Sequence, residues 1–151
     1  MLFIFLKSML RCSPNKKIYY DLEIMNYFKR KGCKRLAVTW ERRIYYKYNC
    51  HFVNGIKIDY SVKFPHLLGI VIGSDVTLGK NITIYQNVTL GGTKGKRSDG
   101  MPTIEDNVTI YSGAVIGGNI TIGKGTVIGA NAIVTRDIPS NSMVVGHNHI
   151  I

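Results

Sequence analysis

A chain of 151 residues is long enough for one domain with a packed core and a small appendage. Its formal charge of +11 is lopsided: residues 1–60 carry 13 Lys/Arg against 4 Asp/Glu, and residues 61–151 carry 7 against 5. A basic segment of this kind attracts nucleic acid, anionic lipid or phosphorylated ligands, and charge alone does not choose among them.

The chain opens with "MLFIFLKSML". Lys7 interrupts this apolar run, no charged region precedes it, and it is too short to cross a bilayer. It reads as a packed helix, with a contact at the membrane surface as the competing reading. Cys12, Cys33 and Cys50 are odd in number and lack the close CxxC spacing of a zinc or redox site, so they read as free cytosolic thiols.

Residues 18–31, "IYYDLEIMNYFKRK", place apolar side chains at helical intervals and end on a basic turn before Gly32, which predicts a helix. A second helix is predicted over residues 34–49, where Leu36, Trp40, Ile44 and Tyr48 form one stripe opposite a Lys/Arg-rich face. Burial in the core or at a subunit contact is the expected role of that stripe, since aromatic residues dominate such burial. The basic residues are interleaved with it and no nucleic-acid-binding motif accompanies them, so nucleic acid is not the expected partner.

From Ile72 the rhythm changes to six: Ile72, Leu78, Ile84 and Leu90, then Ile104, Ile110, Ile116, Ile122, Ile128 and Val134. Gly often follows the aliphatic residue, and small or β-branched residues such as Val76, Ile82, Val88, Val108, Ile120 and Thr126 fill the fourth place after it. This is a solenoid pattern. A short extended segment points its aliphatic side chain inward, Gly or Asn relieves the corner, and three sides close a triangular coil of about 18 residues. The expected architecture is a parallel β-helix over residues 56–151, preceded by a basic helical segment over residues 1–55.

The count breaks twice. Two extra residues lie between Phe64 and Ile72, around His66. Eight more lie between Leu90 and Ile104 and must leave the prism as a loop over residues 92–103. Such a break exposes side chains that the repeat would bury. Of the four histidines, His51 lies in the basic segment, His147 and His149 lie in the tail, and only His66 enters the repeat. A zinc site of three histidines is therefore not available to the coil, and no metal is expected.

"HLLGIVIGSDVTLGKNITIYQNVTLGGTKG" and "PTIEDNVTIYSGAVIGGNITIGKGTVIGANAIVTRDIPSNSMVVG" resemble the hexapeptide-repeat acyltransferases. More narrowly, they resemble the serine acetyltransferase branch, including relatives that O-acetylate capsular and O-antigen sugars. The resemblance covers about residues 66–146 and implies a left-handed coil, homotrimers with a site between neighbouring prisms, and transfer of an acetyl group from acetyl-CoA to a hydroxyl. It places His66 as the catalytic base. Histidine suits that task near neutral pH. It also implies that Gly92 and Thr93 border the thioester, that Ser112 and Ala130 line the acetyl-CoA groove, and that Arg136 stands near the nucleotide end. Lys124 is a weaker candidate for phosphate. Lys94, Lys96 and Arg97 are expected to meet phosphate or acidic sugar, or to form a solvated turn.

The chain departs from serine acetyltransferases at three places. Pro65 replaces the Asp before the catalytic His, and Gly100-Met101-Pro102 replaces Arg-His-Pro. Lys57 falls where many members have an acid to orient the base, which leaves Asp59 as the nearest substitute. Loss of the charged acceptor set, together with "DGMPTI" at residues 99–104, points to a sugar of a bacterial surface polysaccharide or its precursor as acceptor. The expected location is the cytoplasm, or the inner face of the membrane, where the basic aromatic head meets a lipid-linked precursor. Serine or another small molecule is the alternative acceptor, and a non-catalytic trimeric scaffold is the reading outside enzymes.

Overall fold

The computed structural model describes residues 14–53, 55–92 and 100–151. Thr93, Lys94, Lys96 and Arg97, the opening apolar run and Cys12 lie outside the described residues. Among the described residues two helices come first: α1 over Pro14–Arg30 and α2 over Lys34–Tyr48. Lys29 and Arg30 close α1, and Gly32 follows at φ +72°. Cations in a last turn offset the negative end of the helix dipole, and glycine accepts the left-handed turn that stops the helix.

Thirteen short strands follow, β1 to β13, and twelve of them stack in parallel. They form three sheets in the orders β1-β2-β5-β8-β11, β13-β12-β10-β7-β4 and β3-β6-β9. Strand β2 is Val71–Ile72, β5 is Thr89–Gly91, β8 is Val115–Gly117 and β11 is Ile133–Val134. Register exposes the coil length: Val71 pairs with Thr89 and Val115 with Ile133, each 18 positions apart. His51 pairs with Val71 at 20 positions, and Thr89 pairs with Val115 at 26. The two and eight additional residues are the breaks visible in the sequence. The architecture is a left-handed parallel β-helix preceded by a helical segment, as the six-residue rhythm and the resemblance together predict.

Each sheet turns one aliphatic column inward. Ile72, Leu90, Ile116 and Val134 form one column, and Ile84, Ile110, Ile128 and Val144 form another, all fully buried. Each contributes about 1.5–3 kcal/mol of burial. The third column ends in Ile104, Ile122 and Ile138. Thr126 is the polar exception, and its buried hydroxyl donates to the Pro139 carbonyl at 3.0 Å.

The corners explain the Asn and Gly usage. One edge of the prism stacks Gly69, Asn87, Gly113 and Asn131, all at positive φ. Each turn donates its N–H to the turn above: Asn87 to the Leu68 carbonyl, Gly113 to that of Gln86, and Asn131 to that of Ser112. A Cβ on Gly69 would overlap the Asn87 Oδ1, and one on Gly113 would overlap the Asn131 Oδ1. Glycine is thus required above each asparagine for space as well as for φ.

The helical segment covers the open end of the coil. Ile18, Leu22, Met25, Ile44 and Tyr48 join Phe52, Phe64 and Ile72 in one buried cluster that continues to Val144. Phe52 and Phe64 meet edge to face at 5.7 Å between centroids. Asp21 is fully buried and ties the helices together, accepting from the Tyr48 hydroxyl at 2.6 Å and the Lys47 ammonium at 2.8 Å. The stripe on α2 is buried only toward its end: Ile44 and Tyr48 lie inside and Trp40 is half-buried, while Leu36 is 48% exposed. Ala37, one position on, takes the buried place instead.

Candidate active site

The chain runs from the Leu68 edge along β2, which lies between β1 and β5, turns at Ser74 and Asp75, passes β3 (Thr77–Leu78), and turns again at Lys80 and Asn81. It returns along β4 (Thr83–Ile84) to Gln86. Every later coil repeats this circuit, so three edges run the length of the prism, and each candidate residue belongs to one of them.

His66 stands at the Leu68 edge. The two additional residues fold into a tight turn, in which the Leu68 N–H donates to the His66 carbonyl at 3.0 Å, and leave the imidazole exposed. Below it come Tyr85, 6.3 Å away between ring centroids, and Tyr111, stacked on Tyr85 at 5.1 Å and 19°. Gln86, Ser112 and Ala130 occupy successive turns of the same edge. The fold therefore brings His66, Ser112 and Ala130 into one line, at about 4.8 Å per coil. Gln86 Oε1 is buried and has no hydrogen-bond partner among the described residues.

Gly92 and Arg136 lie on the next edge, across the sheet that holds β2, β5, β8 and β11. Gly92 continues from β5, and a Cβ there would approach the Gly100 carbonyl at 3.5 Å and Met101 Cε at 3.6 Å. Met101 lies over both Gly73 and Gly92. Arg136 is exposed, and its guanidinium donates to the Asn148 carbonyl, while Asn148 also accepts from the Thr135 N–H at 2.9 Å. In this chain Arg136 thus holds down the terminal hairpin of β12 (Met143–Val145) and β13 (His149–Ile150).

Asp59 and Lys124 fall on the third edge, away from His66. Asp59 is exposed and accepts from the Ser61 N–H at 2.8 Å, while the Ser61 hydroxyl accepts from the Asn81 N–H. The Ser61 hydroxyl and amide hold its carboxyl below the usual carboxylate range. Within one chain Asp59 closes a turn at the Asn81 corner, on a different edge from His66. Lys124 donates its N–H to Glu105 Oε2 at 2.8 Å and borders a cavity of about 330 Å³ that also has Glu105 and Asp106 in its wall. Two carboxylates there disfavour a phosphate.

Neither described cysteine lies on the His66 edge as a nucleophile. Cys33 is at the junction of the two helices, and Cys50 is buried with its thiol pushed up by that burial. The sequence reading missed Tyr85, Tyr111 and Gln86. The signal was present: Tyr85 and Tyr111 follow inward residues of the same column, Ile84 and Ile110, and so share one edge.

Residues 101–136 match the family model described as bacterial transferase hexapeptide, six repeats. The match falls on the second block of the six-residue repeat. Over 98 residues, 64% of this chain, the sequence is 44% identical to a serine acetyltransferase of Staphylococcus aureus and covers 46% of that protein. Among solved structures it is similar to a serine acetyltransferase in complex with cysteine, at a TM-score of 0.87 and 30% identity over 95% of this chain and 60% of the other. A serine acetyltransferase in complex with CoA matches at 0.82 and 31% over 89% and 56%. The chain thus spans about half the length of the relatives it matches.

These likenesses correct the expected acceptor. The relatives are serine acetyltransferases, so a surface-polysaccharide sugar does not stand as the acceptor, and polysaccharide synthesis does not stand as the process. The sugar reading rested on polar side chains absent at Pro65, Gly100 and Met101 and on a short loop match. An absent side chain says which contact is missing and does not by itself select a sugar. Among the described residues no helix is long and apolar enough to cross a membrane.

Proposed function

We propose that this chain transfers the acetyl group of acetyl-CoA to the hydroxyl of serine or a small serine-like molecule. The observation that carries the reading is the exposed His66 at a break in the coil, in line with Ser112 and Ala130, in a chain 44% identical over 98 residues to a serine acetyltransferase. An alcohol is a weak nucleophile until a base takes its proton, and His66 is the only histidine on that edge among the described residues. The hydroxyl oxygen attacks the thioester carbonyl as its proton passes to the imidazole. The tetrahedral intermediate then collapses, the C–S bond breaks, and the CoA thiolate takes a proton. A backbone N–H steadies the oxyanion. With Cys50 buried and protonated, direct transfer needs no acyl-enzyme.

The active unit in this reading is a homotrimer, and two features support it. The outward residues of the sheet between the His66 edge and the Gly92 edge form a ladder of Val71, Thr89, Val115 and Ile133, with the three aliphatics 37%, 41% and 45% exposed. A row of exposed aliphatics on a rigid face is suited to burial against a second copy. The candidate residues also divide between the two edges of that face. Packing copies around a threefold axis sets the His66 edge of one against the Gly92 edge of its neighbour, and the site becomes complete only then.

The test is free thiol released from acetyl-CoA with L-serine as acceptor, beside other small hydroxyl compounds and simple sugars. Serine-dependent thiol release with O-acetylserine as product is the expected result. Release with sugars alone would overturn it.

A further inference from the structure

The cleft beneath the end of α1 lies away from the His66 edge of the same chain, and its neighbouring cavity reaches Ser74 and Asp75 on the edge that carries Gly92. The cleft has a volume of about 340 Å³ and is lined by Asn26, Lys29, Arg30, Gly55 and Lys57. Three of these five residues are cations and none is a carboxylate. A volume near 300 Å³ is the lower range for small-molecule sites.

Its walls are held in place. The Asn26 side chain accepts from the Gly55 N–H at 3.0 Å and donates to the Ile56 carbonyl at 2.8 Å, so the helix grips both faces of the opposing segment. Ile56 is buried in the core below. Gly55 sits at φ +102°, and a Cβ there would collide with the Lys29 ammonium, so this position admits only glycine. The result is an open cleft with a fixed wall, bordered by the exposed side chains of Lys29, Arg30 and Lys57. Two basic residues in a last helical turn are accounted for by the helix dipole. Lys57 is not: it comes from a separate segment, and it forms a wall shared with a second cavity of about 350 Å³ lined by Ser74, Asp75 and Thr77.

We propose that this cleft binds a free phosphomonoester, its phosphate held by Lys29, Arg30 and Lys57 and its polar body extending past Lys57 toward Ser74 and Thr77. Guanidinium and ammonium groups form charge-assisted hydrogen bonds to phosphate oxygens, and the Thr77 hydroxyl, beside a Ser74 hydroxyl that donates to Asp75 at 3.0 Å, suits a hydroxylated substituent.

The experiment is calorimetric titration of the full chain with inorganic phosphate and with glycerol 1-phosphate at constant ionic strength. Arg30→Ala, Lys57→Ala and the exposed control Arg42→Ala are titrated in parallel. All three positions are solvent-exposed, so the fold survives the changes, and helical circular dichroism checks this. Saturable binding, tighter for glycerol 1-phosphate than for phosphate, is expected. Each site variant should weaken it by roughly tenfold, the loss of about one charge-assisted hydrogen bond, and Arg42→Ala should leave it unchanged. Absence of saturable binding in the millimolar range, or equal weakening by Arg42→Ala, would overturn the assignment. Since the readout is binding and not turnover, its failure is separable from failure of the acetyltransferase reading.

Discussion

Tyr85 stands between His66 and Tyr111 on a single edge of the prism, 6.3 Å from the first ring and 5.1 Å from the second. The stack gives an otherwise exposed imidazole a rigid neighbour. Aromatic pairs of this kind are worth about 0.5–1.5 kcal/mol. Tyr85→Ala should therefore lower kcat/KM by about three- to tenfold, with Tyr85→Phe close to the parent protein. Steady-state kinetics on the two variants checks this, and equal loss in both would assign the effect to the hydroxyl instead.

Glycines of the coil should differ sharply in tolerance according to whether they sit at a corner, like Gly113, or in a strand, like Gly91. Gly113 is at φ +73° with Asn131 Oδ1 in the space a Cβ would fill, whereas a Cβ on Gly91 meets nothing within 4 Å. Gly113→Ala is expected to destabilise by roughly 1–3 kcal/mol, and Gly91→Ala by less than about 0.5 kcal/mol. Denaturant unfolding of both variants measures the difference.

The period of six, the inward columns and the lengths of both breaks were legible in the sequence, because a coil with three equal sides must repeat its buried position at a fixed spacing. The edge assignment was less so. Ser112 and Ala130 are 18 residues apart, which places them on one edge by counting alone. Asp59 lies before the two-residue break, where the phase shifts, so counting along the chain did not show that it belongs to the Asn81 corner. Leu36 belongs to a stripe expected to be buried in the core or at a subunit contact, and in the single chain it is 48% exposed. Helical periodicity identifies a stripe, but only the last two turns of α2 lie against the cap of the coil.

The join between helices and coil should weaken at high pH. The Tyr19 hydroxyl donates to the Val62 carbonyl, and burial first, then the Asp59 carboxylate, raises its pKa from 10.0 to about 12. A folded-state pKa above the unfolded one means that the stabilisation is fully present below pH 10 and is lost as pH rises toward about 12. Thermal melts between those limits should show a falling Tm, with a shallower fall for Tyr19→Phe.

The aliphatic ladder gives a prediction on assembly. Val115→Asp puts a charge at the centre of the face proposed to pack between copies, at a side chain that is 41% exposed in the single chain. Sedimentation should show a monomer that retains the circular dichroism of the parent protein. Turnover should be lost with the trimer, since the His66 and Gly92 edges then no longer meet.

The central claim is that the His66 imidazole takes the proton from the acceptor hydroxyl. His66→Ala measured in the serine-dependent thiol-release assay, with acetyl-CoA affinity determined separately by calorimetry, addresses it most directly. Loss of a general base is predicted to lower kcat by about 10²–10⁴-fold while acetyl-CoA binding is kept. Turnover with serine at the parental rate in His66→Ala would contradict it.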